Sequence, residues 1–172
     1  ISDPANIVAK DTLYDSDVDT ILDGPTGVDT FTVGASTYAI VTSIHGTSGI
    51  QTIDISNPTD IVALDSETDD VNGFDFLQSP QAVETFTVGA STYAIVTLSG
   101  DGSGAQILDV TDPTNIVEKD GVQRNAEFPV FYLPYTIDTF TVDSSPYAIV
   151  SAKNSDGVQM IDISDPTNMV SA

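Results

Sequence analysis

The chain has 172 residues, 40% of them apolar, which is enough for one domain with a core. Its 26 acids against four bases give a net charge of −22, which repels phosphate backbones and anionic headgroups and argues against nucleic acid and membrane surfaces as partners. There is no cysteine, which excludes disulfides, thiol catalysis and Cys-held clusters or haem, and no apolar run approaches the ~18–20 residues of a spanning helix.

Lys10, Lys119, Arg124 and Lys153 can pair with only a few of the acids. The remaining charge calls for screening by salt, bound cations, or separation on loops. The sequence starts at Ile1 with neither an initiator Met nor a signal peptide, as expected of a mature or excised segment.

Internal repetition organises everything else. "FTVGASTYAIVT" occurs at 31–42 and again at 86–97, and "FTVDSSPYAIVS" follows at 140–151. The prolines Pro4, Pro58, Pro113 and Pro166 are separated by 54, 55 and 53 residues. The chain is therefore one array over 1–172 with units at about 6–59, 60–114 and 115–167, and partial fourth-strand segments at 1–5 and 168–172.

Each unit predicts four short strands. The first is "VDTFTV" (28–33), "VETFTV" (83–88) or "IDTFTV" (137–142), with apolar and polar residues alternating. A tight turn follows at Gly34, Gly89 or Asp143, residues that tolerate a positive φ. The second strand, "YAIVT" or "YAIVS", is apolar nearly throughout and predicts burial on both faces. The third is "IQTIDI" (50–55), "AQILDV" (105–110) or "VQMIDI" (158–163). An Asp-Pro or Asn-Pro turn leads to the fourth, "NIVAKD", "DIVALD", "NIVEKD" or "NMVSA". No segment sustains a 3.6-residue period, so the fold class is all-β.

The motif G-[IAV]-Q-x-[IL]-D-[IV]-[ST]-[DN]-P, preceded by "YAIV", resembles the LVIVD-type repeat of β-propeller proteins. That resemblance implies four-stranded blades around a channel, with the repeated twelve residues as the inner hairpin of each blade. It also implies an extracellular or cell-surface location. Three blades do not close a ring, so the array is a part of a longer one, a shared ring, or an open stack. A β-trefoil or β-prism is the alternative on threefold count. The opening fourth strand has no blade of its own in the sequence, and such a strand invites addition to another chain's sheet edge.

The units diverge in two connections. Between strands two and three lie "SIHGTSG", "LSGDGSG" and "AKNSDG"; between strands four and one lie "TLYDSDVDTILDGPTG", "SETDDVNGFDFLQSPQ" and "GVQRNAEFPVFYLPYT". In an up-down sheet both emerge at the same end, giving one variable rim that serves as a binding face or simply drifts.

Candidate sites follow from these loops. Asp11, Asp15, Asp17, Asp19 and Asp23 crowd the first, and Asp65, Glu67, Asp69, Asp70 and Asp75 the second. Asp15, Asp17, Asp19, Asp69 and Asp70 are the candidate metal ligands, and such hard oxygens suit Ca²⁺. "DSDVD" begins like an EF-hand loop but lacks its sixth-position Gly and twelfth-position Glu. Asp29, Glu84 and Asp138 recur two residues before Phe31, Phe86 and Phe140. They form either an acidic ring in a channel or repeated hydrogen bonds to a neighbouring strand. Asp54, Asp109 and Asp162 read as turn caps.

Phe128, Phe131, Tyr132 and Tyr135 in "EFPVFYLPY" are the candidate partner-binding residues, able to stack on a sugar, clasp a peptide or seal a subunit contact. Folding down onto the blade's own core is the other reading. Catalytic motifs are absent: His45 is the one histidine, and there is no GxSxG, Walker or dinucleotide fingerprint. The expectation is thus not an enzyme but a structural or interaction module. Its partners are other proteins, carbohydrate or copies of itself, with no cofactor beyond Ca²⁺. A self-assembling subunit and a carboxylate-based or metal-assisted hydrolase are the alternatives.

Overall fold

The computed structural model describes residues 8–17, 20–69, 71, 74, 76–100 and 102–172. The described chain is all-β. Three separate four-stranded antiparallel sheets follow one another, each a simple meander. The first contains β1 (Pro25–Val33), β2 (Ser36–Ser43), β3 (Gly49–Asp54) and β4 (Val62–Thr68). The second contains β5 (Pro80–Val88), β6 (Ser91–Leu98), β7 (Gly104–Asp109) and β8 (Val117–Gln123). The third contains β9 (Pro134–Val142), β10 (Ser145–Ala152), β11 (Gly157–Asp162) and β12 (Val170–Ser171). These are propeller-type blades, in place of the trefoil or prism alternative.

The inner strands begin three residues earlier than the alternation suggests, at Pro25, Pro80 and Pro134. Each starts with a register shift against its neighbour, between Pro25 and Gly27, between Pro80 and Ala82, and opposite Ser151 and Ala152. Proline lacks a ladder donor, and it fits here because each is the first residue of an edge strand. The strand expected at 6–11 is different. Residues 6 and 7 lie outside the described residues, and 8–11 form no strand.

The hairpin turns match expectation: Gly34 has φ 63°, Gly89 φ 64° and Asp143 φ 48°. The Asp/Asn-Pro turns close through Asp60 N to Asn57 O, Asn115 N to Asp112 O and Asn168 N to Asp165 O, each 3.0 Å. Asp54, Asp109 and Asp162 cap them by accepting from Ser56 N (2.8 Å), Thr111 N (3.0 Å) and Ser164 N (2.9 Å). Hydrogen bonds from Ser56, first its hydroxyl and then its amide, hold Asp54 below the ordinary carboxylate value. For Asp109 burial pushes upward, but Thr111 and Lys119 outweigh it and the net displacement is downward.

The blades pack face to face. β1 lies against β5 and β5 against β9, so the first strands are innermost. Phe31, Ile40 and Ile50 of the first blade meet Val83, Ala94, Val96 and Leu108 of the second. Phe86, Ile95, Ala105 and Ile107 of the second meet Ile137, Ala148, Val150 and Ile161 of the third. Each blade thus has one face toward its predecessor and one toward its successor, and β2 and β6, in the middle of their sheets, are buried on both.

A repeated carboxylate ties each repeat unit to the next, and two of its three bonds join consecutive blades. Asp11 accepts from Ile61 N at 2.8 Å, Asp65 from Ile116 N at 2.7 Å, and Asp120 from Met169 N at 2.6 Å. A carboxylate on an amide is a charge-assisted bond, and Ile116 and Met169 are buried. Asp65→Ala would leave the Ile116 amide without its acceptor, at a cost of about 1–3 kcal/mol. Urea unfolding should show that loss, and a midpoint equal to wild type would show the latch to be idle.

Candidate functional site at the blade axis

Three inner strands standing side by side bring Asp29, Glu84 and Asp138 into one row. Each sits at the same register, opposite Ile40, Ile95 and Ile149. Their environments differ. Asp29 Oδ2 accepts from Thr85 N at 2.7 Å and from the Thr85 hydroxyl at 2.6 Å, so it is tied to the next blade's backbone. Both sequence readings of these acids therefore hold in part: Asp29 is a backbone clasp, and the acids also share a field. Glu84 is half-buried and is pushed above its ordinary value of 4.5, first by desolvation and then by the charges of Asp29 and Asp138. No hydrogen bond to the Glu84 carboxylate is formed among the described residues, so nothing offsets those costs. The three acids share one local field.

A cleft of about 370 Å³ adjoins the row on the side of the hairpin turns. Phe31, Thr85, Phe86, Thr139 and Phe140 are among its walls. It begins one residue beyond the acids, at Thr85 after Glu84 and Thr139 after Asp138. The Thr139 hydroxyl donates to Thr85 O at 3.2 Å, which continues the blade-to-blade stitching along the cleft.

At the opposite end the two divergent loops of each blade meet, as the meander requires. His45 N bonds Asp23 O (3.1 Å), Ser99 N bonds Ser79 O (3.1 Å), and Asn154 N bonds Tyr132 O (3.2 Å). Between the second and third blades this rim holds a polar cleft of about 560 Å³, walled by Gln78, Ser99, Ser103, Gln123, Arg124 and Tyr132 among others. Arg124 stands 5.0 Å over the Tyr132 ring, a cation–π contact.

The aromatic loop splits between two roles. Phe128 and Phe131 are not available to a partner: both are buried among Ala148, Val150 and Ile161, with rings stacked 5.3 Å apart. Prolines and the Asn125 carboxamide, which accepts from Glu127 N (2.7 Å) and Phe128 N (2.9 Å), turn the loop inward. Tyr132 and Tyr135 remain exposed, and of the four Tyr132 alone lines the rim cleft. The second loop plugs the preceding interface in the same way with Phe74 and Leu77. That pairing of apolar residues in each divergent loop was the available signal. Arg124 was seen in the sequence only as one of four bases; nothing in its spacing marks it as a cleft residue.

The acidic loops bring no metal centre together in the described part. Asp15 and Asp17 lie in the turn at 15–17, where Asp17 Oδ2 accepts from Tyr14 N at 2.6 Å. Asp69 follows β4, while Asp19 and Asp70 lie outside the described residues. Among the described residues no three His, Asp or Glu side chains converge as metal ligands.

Comparison with protein families and with curated proteins finds no match. Solved structures do match. A GH32 β-fructofuranosidase from Bombyx mori superposes with a TM-score of 0.57 at 11% identity, over 87% of this chain and 37% of the enzyme. An α-L-arabinofuranosidase from Lactobacillus brevis gives 0.58 at 12%, over 84% and 53%. The arabinanase Arb43A of Bacillus subtilis gives 0.51 at 14%, over 84% and 52%. The chain thus spans about half the length of these enzymes or less, and at such identity the likeness is one of fold: a β-propeller built of four-stranded blades.

That likeness corrects the sequence reading in one respect. The expectation of a non-enzymatic scaffold, and the statement that the chain is not an enzyme, rested on missing catalytic motifs. The matching structures are a fructofuranosidase, an arabinofuranosidase and an arabinanase, so the absence of those motifs gives no ground for that statement.

Proposed function

We propose that the chain carries a carboxylate-based hydrolytic centre for glycosidic bonds on its inner strands. The observation that supports it is Glu84, held toward its protonated form between two further acids. Hydrolysis of an acetal needs a proton delivered to the departing oxygen and a carboxylate to activate water or to stabilise positive charge on the sugar. Glu84 is the proton donor. Asp138, whose carboxylate accepts no hydrogen bond among the described residues, is the partner that activates water. Asp29 is fixed on Thr85 and acts as a positioned negative charge rather than as a base. Water supplies OH to the anomeric carbon and H to restore Glu84, so the group ends as it began. The cleft of about 370 Å³ that adjoins the acids offers the threonine hydroxyls and aromatic rings of Phe31, Thr85, Phe86, Thr139 and Phe140 to a neutral sugar. The fold neighbours, which include a fructofuranosidase, an arabinofuranosidase and an arabinanase, direct the choice of substrates. The test is release of reducing sugar from arabinan, sucrose and aryl furanosides, with turnover strongest at mildly acidic pH. No turnover across that panel would remove the reading.

A further inference from the structure

We infer that the rim cleft between the second and third blades binds a short acidic sugar, with Arg124 taking the carboxylate of a hexuronate. The internal repeat shows what sets this cleft apart. Asp69 N and Arg124 N make the same bond in successive units, to Ser48 O at 3.4 Å and to Ser103 O at 3.0 Å. Arg124 therefore stands where the preceding unit has an acid. Tyr132 likewise takes the place of Asp23: Asn154 N meets Tyr132 O as His45 N meets Asp23 O. Two positions that hold acids around the first blade thus carry a cation and an aromatic ring on the walls of this one cleft. In a chain with 26 acids and four bases, that is a local reversal of charge.

The guanidinium is set for a carboxylate. Its Cζ is held 5.0 Å from the centre of the Tyr132 ring, and Nε donates to Pro129 O at 3.3 Å. Its two terminal nitrogens have no partner, and no ion pair holds them, among the described residues. Glu127, the acid of the same loop, accepts from Ser171 N at 3.2 Å instead. Two parallel N–H donors match the two oxygens of one carboxylate. The remaining walls are neutral and mostly polar, which suits the hydroxyls of a sugar. Ser99 and Ser103 donate their hydroxyls to Ser79 O (3.2 Å) and Gly100 O (2.9 Å), so their oxygens keep lone pairs for a ligand's O–H. Glycine makes room for two carboxamides: a Cβ on Gly100 would strike Gln78, and one on Gly102 would strike Gln123. Ser79 and Leu133, also on the walls, have φ of 51° and 54°, where the first blade has Gly24 at 65°. Backbone strain of this kind gathers at binding sites. A net charge of −22 repels long polyanions, so the ligand is short and carries one or two carboxylates.

This inference goes beyond the hydrolytic reading: it concerns the opposite end of the blades, and its test measures binding and not turnover. Calorimetric titration is made at neutral pH and about 0.15 M salt, where charges beyond ~8 Å are screened. The probes are digalacturonate, its methyl ester and acetate, each up to about 10 mM. Digalacturonate should bind at least about tenfold more tightly than the ester, which keeps the shape and loses the charge. Arg124→Gln should remove that preference and leave the two sugars alike. Lys10→Gln, the same change in net charge on an exposed residue outside the cleft, should preserve it. Arg124 is itself exposed, so folding is not at risk, and circular dichroism checks that. Equal binding of acid and ester, no heat from either, or a preference that survives Arg124→Gln would overturn the proposal. So would displacement of the sugar by an equal concentration of acetate, which would reduce the site to one for a bare carboxylate.

Discussion

Replacing Glu84 with Gln should lower kcat by roughly 10²–10⁴-fold, the usual contribution of a positioned general acid, while making the protein more stable at neutral pH. The second half follows from linkage. The folded-state value of Glu84 is raised above 4.5 by burial, Asp29 and Asp138. The folded chain therefore holds this proton more tightly than the unfolded chain. Its contribution to stability is fully present below 4.5 and is lost as pH rises through the folded value. Gln is a neutral isostere of the protonated acid. Glu84→Gln and wild type should thus unfold at the same temperature below pH 4.5, and the variant's advantage should open above it. A stability cost of this kind is what acids held for proton transfer commonly show. Equal activity in the two proteins would remove Glu84 from the mechanism, and equal stability across pH would remove the strained-acid picture.

Phe131→Ala should cost about 3–5 kcal/mol, a fall in Tm of roughly 6–20 °C for a domain of this size. The ring is fully buried between the second and third blades, stacked on Phe128 and packed near Ile107, Val150 and Ile161. Removing it leaves a cavity whose lining belongs to two sheets that cannot collapse onto it without shifting the interface. Tyr132→Ala, one residue away and exposed, should stay within about 1 kcal/mol. Thermal unfolding separates the two. A Phe131→Ala protein as stable as wild type would mean that the loop does not plug the interface and that its aromatics are free to meet a partner.

Those adjacent residues show what the sequence could and could not reveal. The sheet order was legible because three copies of one unit average out local ambiguity: a strand proposed in one unit is checked in the others. The turn caps were legible because Asp or Asn two residues ahead of a Ser or Thr amide is a local hydrogen bond, complete within the segment. The blade-to-blade latches were not. Asp65 meets Ile116, 51 residues away, and a single sequence records that Asp recurs without recording what it meets. The same limit hid the fate of the aromatic loop. Phe128, Phe131, Tyr132 and Tyr135 have one composition and two destinations, decided by which side of a proline-bounded turn faces the neighbouring blade.

Function was less legible for a related reason. The acids of the inner strands were visible as a repeat, but 26 acids make recurrence unremarkable. What distinguishes Glu84 is its surroundings: flanking carboxylates from two other blades and, among the described residues, no donor to relieve it. Asp29, at the same register, has Thr85 as a donor. One position in a repeat thus serves as a clasp in the first blade and as a strained acid in the second. The longer Glu side chain at the middle position was the sole sequence sign of that difference.

The most direct test of the inner-strand acids is the titration of the Glu84 carboxyl itself, followed by carbon NMR of the side chain and assigned by comparison with Glu84→Gln. A midpoint clearly above 4.5, falling when Asp29 or Asp138 is replaced by Asn, is expected of a proton donor held between two charges. A midpoint at or below 4.5, insensitive to both neighbours, would contradict the hydrolytic centre and leave the row as three structural carboxylates.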